Sequence, residues 1–504
     1  ITQPSELPPD MVYETVNDMQ AGLFGVYSSV PGENNILFTS IFTDEVAIGI
    51  GNGGQGQDGE LAFLLNANSG DAASIWLSNY SLINAANRLI NGVENVVIST
   101  DEENDETAWY NHILAQAHAL RAWGHFQLLT YFSEDMTNDG SLGVIVMDFA
   151  PDGDDIYVQL PRNTTGEVFS FINSDLDFAE ANLSELNPQP GDNFEAPFTN
   201  TFVTINMIRA FKARMAAYRG DYATAKTFVD QLDTTGGFTG TGYNLTNKIN
   251  YPAIWTDSEP SAQSEVIWKL ERRNPGGNAT GNFSQFWASR NSSVSGSAFF
   301  EVNRALFNLV NFPNDVRQKV IVDVTAFPDP STGTSGTILP NYTEVTDYEY
   351  ETQDILPVGK YTRTENLELL ADVKVFRFSE MVLIRAEYYA SIGDVANAIA
   401  QVNLVRAARY GNASGNISNP SSYTVQQAWA FILRERRIEL AFEGHRYVDL
   451  RRLGTLAGQG VDRDPRDCEF NGFCTLPADD YRFILPIPRA ETAANPNLAQ
   501  NTGY

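Results

Sequence analysis

Lysine is scarce in this chain: seven residues among 504, the first at Lys212. Basic side chains total 33 against 63 acidic ones, a formal net charge of -30. Such a chain repels phosphate backbones and anionic lipid heads, so neither nucleic acid nor a polybasic membrane contact is expected. Long apolar runs are also missing; none approaches the roughly 18 residues of a spanning helix. No initiator Met and no signal peptide stand at the start, which reads Ile1-Thr2-Gln3-Pro4-Ser5. A processed secreted chain begins this way, as does a chain cut at an arbitrary point. Hydrophobic residues nevertheless make up 43% and charged residues only 19%, a globular rather than a disordered composition.

Cysteine is limited to Cys468 and Cys474. The strong turn signal Asn471-Gly472 lies between them, which favours a disulfide across a tight loop over two free thiols. A disulfide fits an oxidising compartment. The four histidines are His112, His118, His125 and His445. His118 and His125 share a helix face but are too far apart along it to hold one zinc, and no HExxH spacing occurs. GxSxG and phosphate-loop motifs are absent; Gly49–Gly54 is glycine-rich but lacks the Lys and Ser/Thr of a phosphate loop, and reads as a flexible surface loop. No catalytic residue, metal or cofactor is expected.

What the chain does have is helical periodicity. Apolar spacing predicts helices over 74–91, 108–131, 165–183 and 202–218. The acidic stretch 101–107 favours a helix start. A weak internal repeat pairs Gly220-Asp221 with Gly393-Asp394. In each, a helix ends at Gly, Asp caps the next helix, and alanines follow. This is the turn of a tetratricopeptide unit. Between the helical blocks run long stretches rich in Gly, Asn, Pro, Thr and aromatics, notably 234–260, 274–297 and 327–360. Loops of that length in a compact domain usually carry function. The predicted fold is mainly α: a tetratricopeptide-like helical repeat scaffold with a loop-rich irregular region containing short strands.

The segment Arg434–Gly454 reads RERRIELAFEGHRYVDLRRLG. It resembles the signature of the SusD/RagB family, with Leu453 where many members have Trp. Phe376–Glu387 resembles the helix that precedes it in the family. The tail resembles the family ending: Leu485-Pro486-Ile487-Pro488, then Asn495-Pro496-Asn497-Leu498, then Gln500-Asn501-Thr502-Gly503-Tyr504. Trp76, Tyr80, Ile83 and Asn87 resemble its N-terminal helix. The resemblance implies one SusD-like domain over 1–504. Helical repeats are expected mainly in 74–232 and 374–454, and a loop-rich, glycan-binding region mainly in 35–72 and 234–360. It also implies a cell-surface lipoprotein of an outer membrane, anchored through a cysteine before Ile1. Such a protein binds oligosaccharide or polysaccharide and passes it to a SusC-like TonB-dependent transporter, without catalysis. The competing readings are a surface glycoside hydrolase and a peptide-binding tetratricopeptide scaffold.

Within the signature, Glu435, Glu439 and Glu443 are spaced i, i+4, i+8. Like charges at that spacing repel unless they are neutralised, here by Arg436, Arg446 and the other arginines. An ion-pair network that holds the last repeat is the expectation, rather than catalytic acids or a metal site. A sugar ring packs its C–H face on an aromatic ring while polar side chains bind its hydroxyls. Trp109, Trp123 and Trp429 fall within helical periodicity and read as core. Trp268 alternates like a half-buried strand residue. Trp287 lies in a polar, aromatic stretch with Phe283 and Arg290. Carried over from the family, the glycan site is expected at Trp287, Phe283 and Arg290, at Trp76 and Asn79, and at Asp44. Trp76 has a second reading as a structural residue of its helix, and Trp255 is held in reserve. On charge grounds a neutral β-glucan such as laminarin is preferred over a polyanionic chain.

Overall fold

The computed structural model describes residues 13–49, 52, 56–101, 105–152, 157–183, 200–234, 243–256, 265–272, 299–311, 314–322, 356–361, 363–364, 367–368, 371–411 and 422–504. In chain order the helices are α1 Val16–Ser28, α2 Glu33–Phe42, α3 Gly70–Asn91, α4 Thr107–Phe132, α5 Thr165–Asn182, α6 Ile205–Tyr218 and α7 Tyr222–Thr234. They continue with α8 Arg304–Val310, α9 Gln318–Ile321, α10 Phe378–Ser391, α11 Val395–Tyr410, α12 Val425–Glu439, α13 Arg446–Ala457, α14 Pro465–Cys468 and α15 Arg489–Ala494. The strands are β1 Val46–Ile48, β2 Val266–Leu270, β3 Phe300–Val302, β4 Arg363–Thr364, β5 Leu367–Glu368, β6 Val373–Arg377, β7 Val461–Asp462 and β8 Thr475–Leu476. They form two-stranded antiparallel pairs: β1 with β3, β2 with β6, β4 with β5 and β7 with β8. The mainly helical architecture with a few short strands is the one the periodicity predicts. Among the described residues, no helix is long and apolar enough to cross a membrane.

The chain divides into two compact units, each assembled from separate segments. The first takes 1–31, 66–209 and 484–504. Its centre is α4, which packs against α1, α3 and α5. Between Ile113 and Phe132 nearly every α4 side chain is buried, so this helix has no polar face to give to water. Its approach to α3 is close enough that a Cβ on Gly124 would meet Ile83 Cγ1 at 2.8 Å. Capping boxes start α1 (Thr15 with Asp18) and α5 (Thr164 with Glu167), each satisfying backbone donors the helix cannot.

The family-like tail has a physical task in this unit. Asn501 Nδ2 donates to the Phe132 carbonyl at 3.0 Å and to the Leu485 carbonyl at 2.7 Å. The Arg162 guanidinium donates to the carbonyls of Phe132 (2.9 Å) and Gly143 (2.7 Å) and to Asn501 Oδ1 (2.8 Å). Together they satisfy the last carbonyl of α4, which would otherwise be orphaned in the core. The histidines of α4 are structural as well. His118 Nδ1 lies 2.6 Å from Asp175, which also takes two bonds from Arg121. His125 is fully buried and lowered to about 4, so it is neutral. Its Nδ1 lies 3.0 Å from the Arg121 carbonyl, and its Nε2 accepts from the Met147 N–H at 3.1 Å.

The second unit takes 32–65 and 210–483. Its helices pack as hairpins, α10 with α11 and α12 with α13. Both predicted repeat turns are present. Gly220 and Gly393 adopt left-handed backbone at φ 78° and 76°, a conformation that costs a side chain about 1 kcal/mol or more. Asp221 Oδ1 then accepts from the Thr224 N–H and Asp394 Oδ1 from the Asn397 N–H, capping α7 and α11. Helix α10 packs on α7, α11 and α12, so the hairpins share one core.

Candidate functional site

The C-terminal signature folds into α12, a tight link and α13. Helix α12 stops at Glu439, earlier than an i, i+4, i+8 row requires, because Phe442 and Gly444 turn the chain with φ of 60° and 82°. Glu443 therefore lies in the link rather than on the helix. Its carboxylate still joins the other two, because the partners come from distant elements. Arg317 pairs with Glu435 at 2.5 Å and with Asp315. Arg377 reaches Glu265 (2.6 Å), Glu439 (2.9 Å) and Glu443 (2.7 Å). Arg409 bridges Glu265 and Glu439, and Lys360 binds Glu443 at 2.8 Å.

Arg436 and Arg446 go elsewhere. Arg436 pairs with Asp449 at 2.7 Å, and Arg446 forks onto Asp44 at 2.8 and 2.9 Å. The expected ion-pair network is thus present, with other arginines and Lys360 as its cations. Helical spacing cannot find them, since Arg317, Arg377 and Arg409 lie 30 to 122 residues from Glu439.

Electrostatically the network is closed. Burial pushes Glu439 up, but Arg409 and Arg377 outweigh it and hold it well below the ordinary carboxylate range. Burial likewise lowers Lys360 against the pull of Glu443. All these groups are withdrawn from water, so none is placed to meet a substrate. The arrangement locks α12 and the link after it to β6, to α11 and to Glu265 just before β2.

Three of the residues expected to contact glycan are now located, and all are buried. Trp76 is 1% exposed, with its ring 4.9 Å from both Tyr80 and Phe132. A ring enclosed in this way has no face to offer a sugar, so its structural reading is the one the geometry supports. Asn79 is 0% exposed and spends its Nδ2 on the Ile75 carbonyl within its own helix. Asp44 is 0% exposed; burial would raise it, but Arg437 and Arg446 hold it far down, and its carboxylate also accepts the Asp462 N–H. These three are supports rather than ligand contacts in this structure.

Phe283, Trp287 and Arg290 lie outside the described residues, as does most of Gly49–Gly54. The stems of their segment are described. The chain leaves β2 at Leu270, where Lys269 pairs with Asp372 at 2.6 Å and the Arg272 N–H donates to the same carboxylate. It re-enters a strand at β3, paired with β1. The reserve candidate Trp255 is 4% exposed beneath Lys360, whose Nζ lies 4.2 Å from the ring centroid. Trp268 is fully rather than half buried, stacked on Phe376. Trp109, Trp123 and Trp429 are core. Cys468 and Cys474 are joined as a disulfide.

Residues 357–504, which contain Lys360, Arg377, Arg409, Glu435, Glu439 and Glu443 of this network, match the model of the SusD family, and residues 2–190 match a model described as starch-binding and associating with the outer membrane. Both ends of the chain are thus similar to SusD-type families. The SusD-like protein P2 of Formosa agariphila is 24% identical over 526 residues, covering 99% of this chain and 94% of that protein. The SusD fold is shared with a SusD superfamily protein of Bacteroides thetaiotaomicron, at a TM-score of 0.73 and 21% identity over 97% of this chain and 99% of that one. A laminarin-binding SusD-like protein superposes with a TM-score of 0.68 at 22% identity, over 98% of this chain and 100% of that one.

Proposed function

We propose that this SusD-like protein captures oligosaccharide or polysaccharide at a bacterial outer surface and passes it to a SusC-like TonB-dependent transporter without cleaving it. The observation that carries this reading is the pair of family matches at the two ends of the chain, one of them to a family described as starch-binding. A neutral β-glucan of laminarin type is the preferred ligand. The likeness to a laminarin-binding SusD-like protein supports it, and so does the net charge of -30, which opposes polyanionic chains.

The contact role falls to Trp287, with Phe283 and Arg290 beside it in sequence. Trp76, Asn79 and Asp44 are spent on internal contacts. Affinity electrophoresis in gels containing laminarin tests the capture reading. The wild type is expected to be retarded and Trp287→Ala to run as in a plain gel, while no reducing ends are released. Release of reducing ends would favour a glycoside hydrolase instead. Unchanged retardation of Trp287→Ala would remove that residue from the site.

A further inference from the structure

We propose that the C-terminal hairpin of the second unit carries a further ligand site: the cavity beside Arg434, Arg437 and Arg446 takes a small organic carboxylate of sugar-acid size. This goes beyond glycan capture and does not depend on it. The cavity has a volume of about 480 Å³, within the roughly 300–1,000 Å³ typical of small-ligand sites. Helices α12 and α13 supply its arginines, the turn at Gly458–Gly460 and strands β7 and β8 supply its wall, and Leu309 of α8 adds an apolar surface.

One of the guanidiniums has a donor to spare. Arg446 is 3% exposed, and its fork onto Asp44 uses only Nε and Nη2. Its Nη1 is buried and makes no hydrogen bond among the described residues, whereas Arg437 donates through Nη2 to the Asp44 carbonyl and holds Nε 3.4 Å from the Asp44 carboxylate. A buried guanidinium donor without an acceptor is costly, more so than a neutral one. An arriving carboxylate oxygen removes that cost. Arg434 is exposed and lines the same cavity, so it stands where an anion would enter.

Buried Asp44 and Asp449 and exposed Asp462 lie around these guanidiniums, with Asp44 and Asp449 acting on Arg446. Glu45, close by, is pushed up to about 7 by burial and carries only part of a charge at neutral pH. Burial pushes Arg437 down to about 10 against the pull of Asp44, while Asp44 holds Arg446 above its ordinary value. The planar, forked guanidinium matches a carboxylate, and the apolar wall of Leu309, Leu476 and Pro477 suits a carbon skeleton rather than a bare inorganic ion.

Isothermal titration of the whole protein with glucuronate, glucose and inorganic sulfate tests this. Glucuronate is expected to bind saturably at one site, with glucose giving no comparable heat. Arg434→Glu, an exposed change that leaves the fold intact, is expected to weaken glucuronate at least tenfold, and so is Arg437→Gln where it retains the wild-type thermal midpoint. Trp287→Ala is expected to leave glucuronate affinity unchanged, which separates this site from glycan capture. The proposal is overturned by the absence of saturable glucuronate binding. Affinity unchanged in Arg434→Glu, loss of affinity in Trp287→Ala, or sulfate binding as tightly as glucuronate would overturn it equally.

Discussion

The buried ionisable side chains decide how this protein responds to mutation and to pH. Arg377 touches three carboxylates and is almost wholly withdrawn from water. Removing one partner of such a network leaves charge buried without compensation, at a cost of about 3–5 kcal/mol. Arg377→Ala is therefore expected to lower the urea midpoint sharply, while an exposed change such as Arg489→Ala moves it little; equal effects would contradict the closed-network account. Glu45 behaves in the opposite sense to a salt-bridged acid. Burial raises it from 4.5 to about 7, so the folded state holds the proton more tightly than the unfolded chain does. Its contribution to stability is fully present below the ordinary value and is lost as pH rises through about 7, on the order of 3 kcal/mol in total. Neutral His125, lowered to about 4, adds an opposing slope on the acid side, so the informative quantity is a difference. Glu45 accepts from the Phe442 N–H and from the Ser40 hydroxyl, and Glu45→Gln keeps one accepting oxygen and puts an uncharged amide in the same place. Its stability relative to the wild type should rise between pH 5 and 8; a flat difference would show that Glu45 does not titrate there.

Local elements were legible in the sequence where a short-range rule governs them. The Gly393-Asp394 turn needs only a left-handed residue and a capping oxygen, and both are written into adjacent positions. Asp394→Ala is expected to cost about 1 kcal/mol by loss of the cap, measured by denaturant unfolding; no change would mean that packing alone fixes the turn. Helix α4 was legible in extent, but not in its nearly complete burial, since that depends on three neighbouring helices. The strand pairs were beyond reach: β1 meets β3 and β2 meets β6 over long separations, with too few residues to show a period. The same limit hid the partners of Glu435, Glu439 and Glu443. Their clustering was readable from spacing, while Arg317, Arg377, Arg409 and Lys360 arrive through tertiary structure. Trp76 illustrates the converse. Its place at a helix start suited both a ligand contact and a core residue, and only the position of Phe132 separates the two.

For the molecule as a whole, the SusD-like signature is an internal lock, and the capture of glycan is assigned to other residues. A scaffold of helical hairpins fixed by buried ion pairs supplies rigid stems, such as β2 with its Lys269–Asp372 pair, for the segments between them. On the proposed capture reading, the net charge of -30 favours uncharged ligands. A neutral glucan pays no electrostatic penalty, whereas a sulfated or uronate polymer is repelled at low ionic strength and less so as salt screens the field. The most direct measurement of the central claim is binding of the intact protein to an array of neutral and acidic glycans at low salt. The account predicts saturable retention on a neutral glucan, β-1,3-linked laminarin foremost, with sulfated and uronate polymers weaker. Binding to no glycan on the array would contradict glycan capture, and binding confined to the polyanionic polymers would contradict the neutral-glucan assignment.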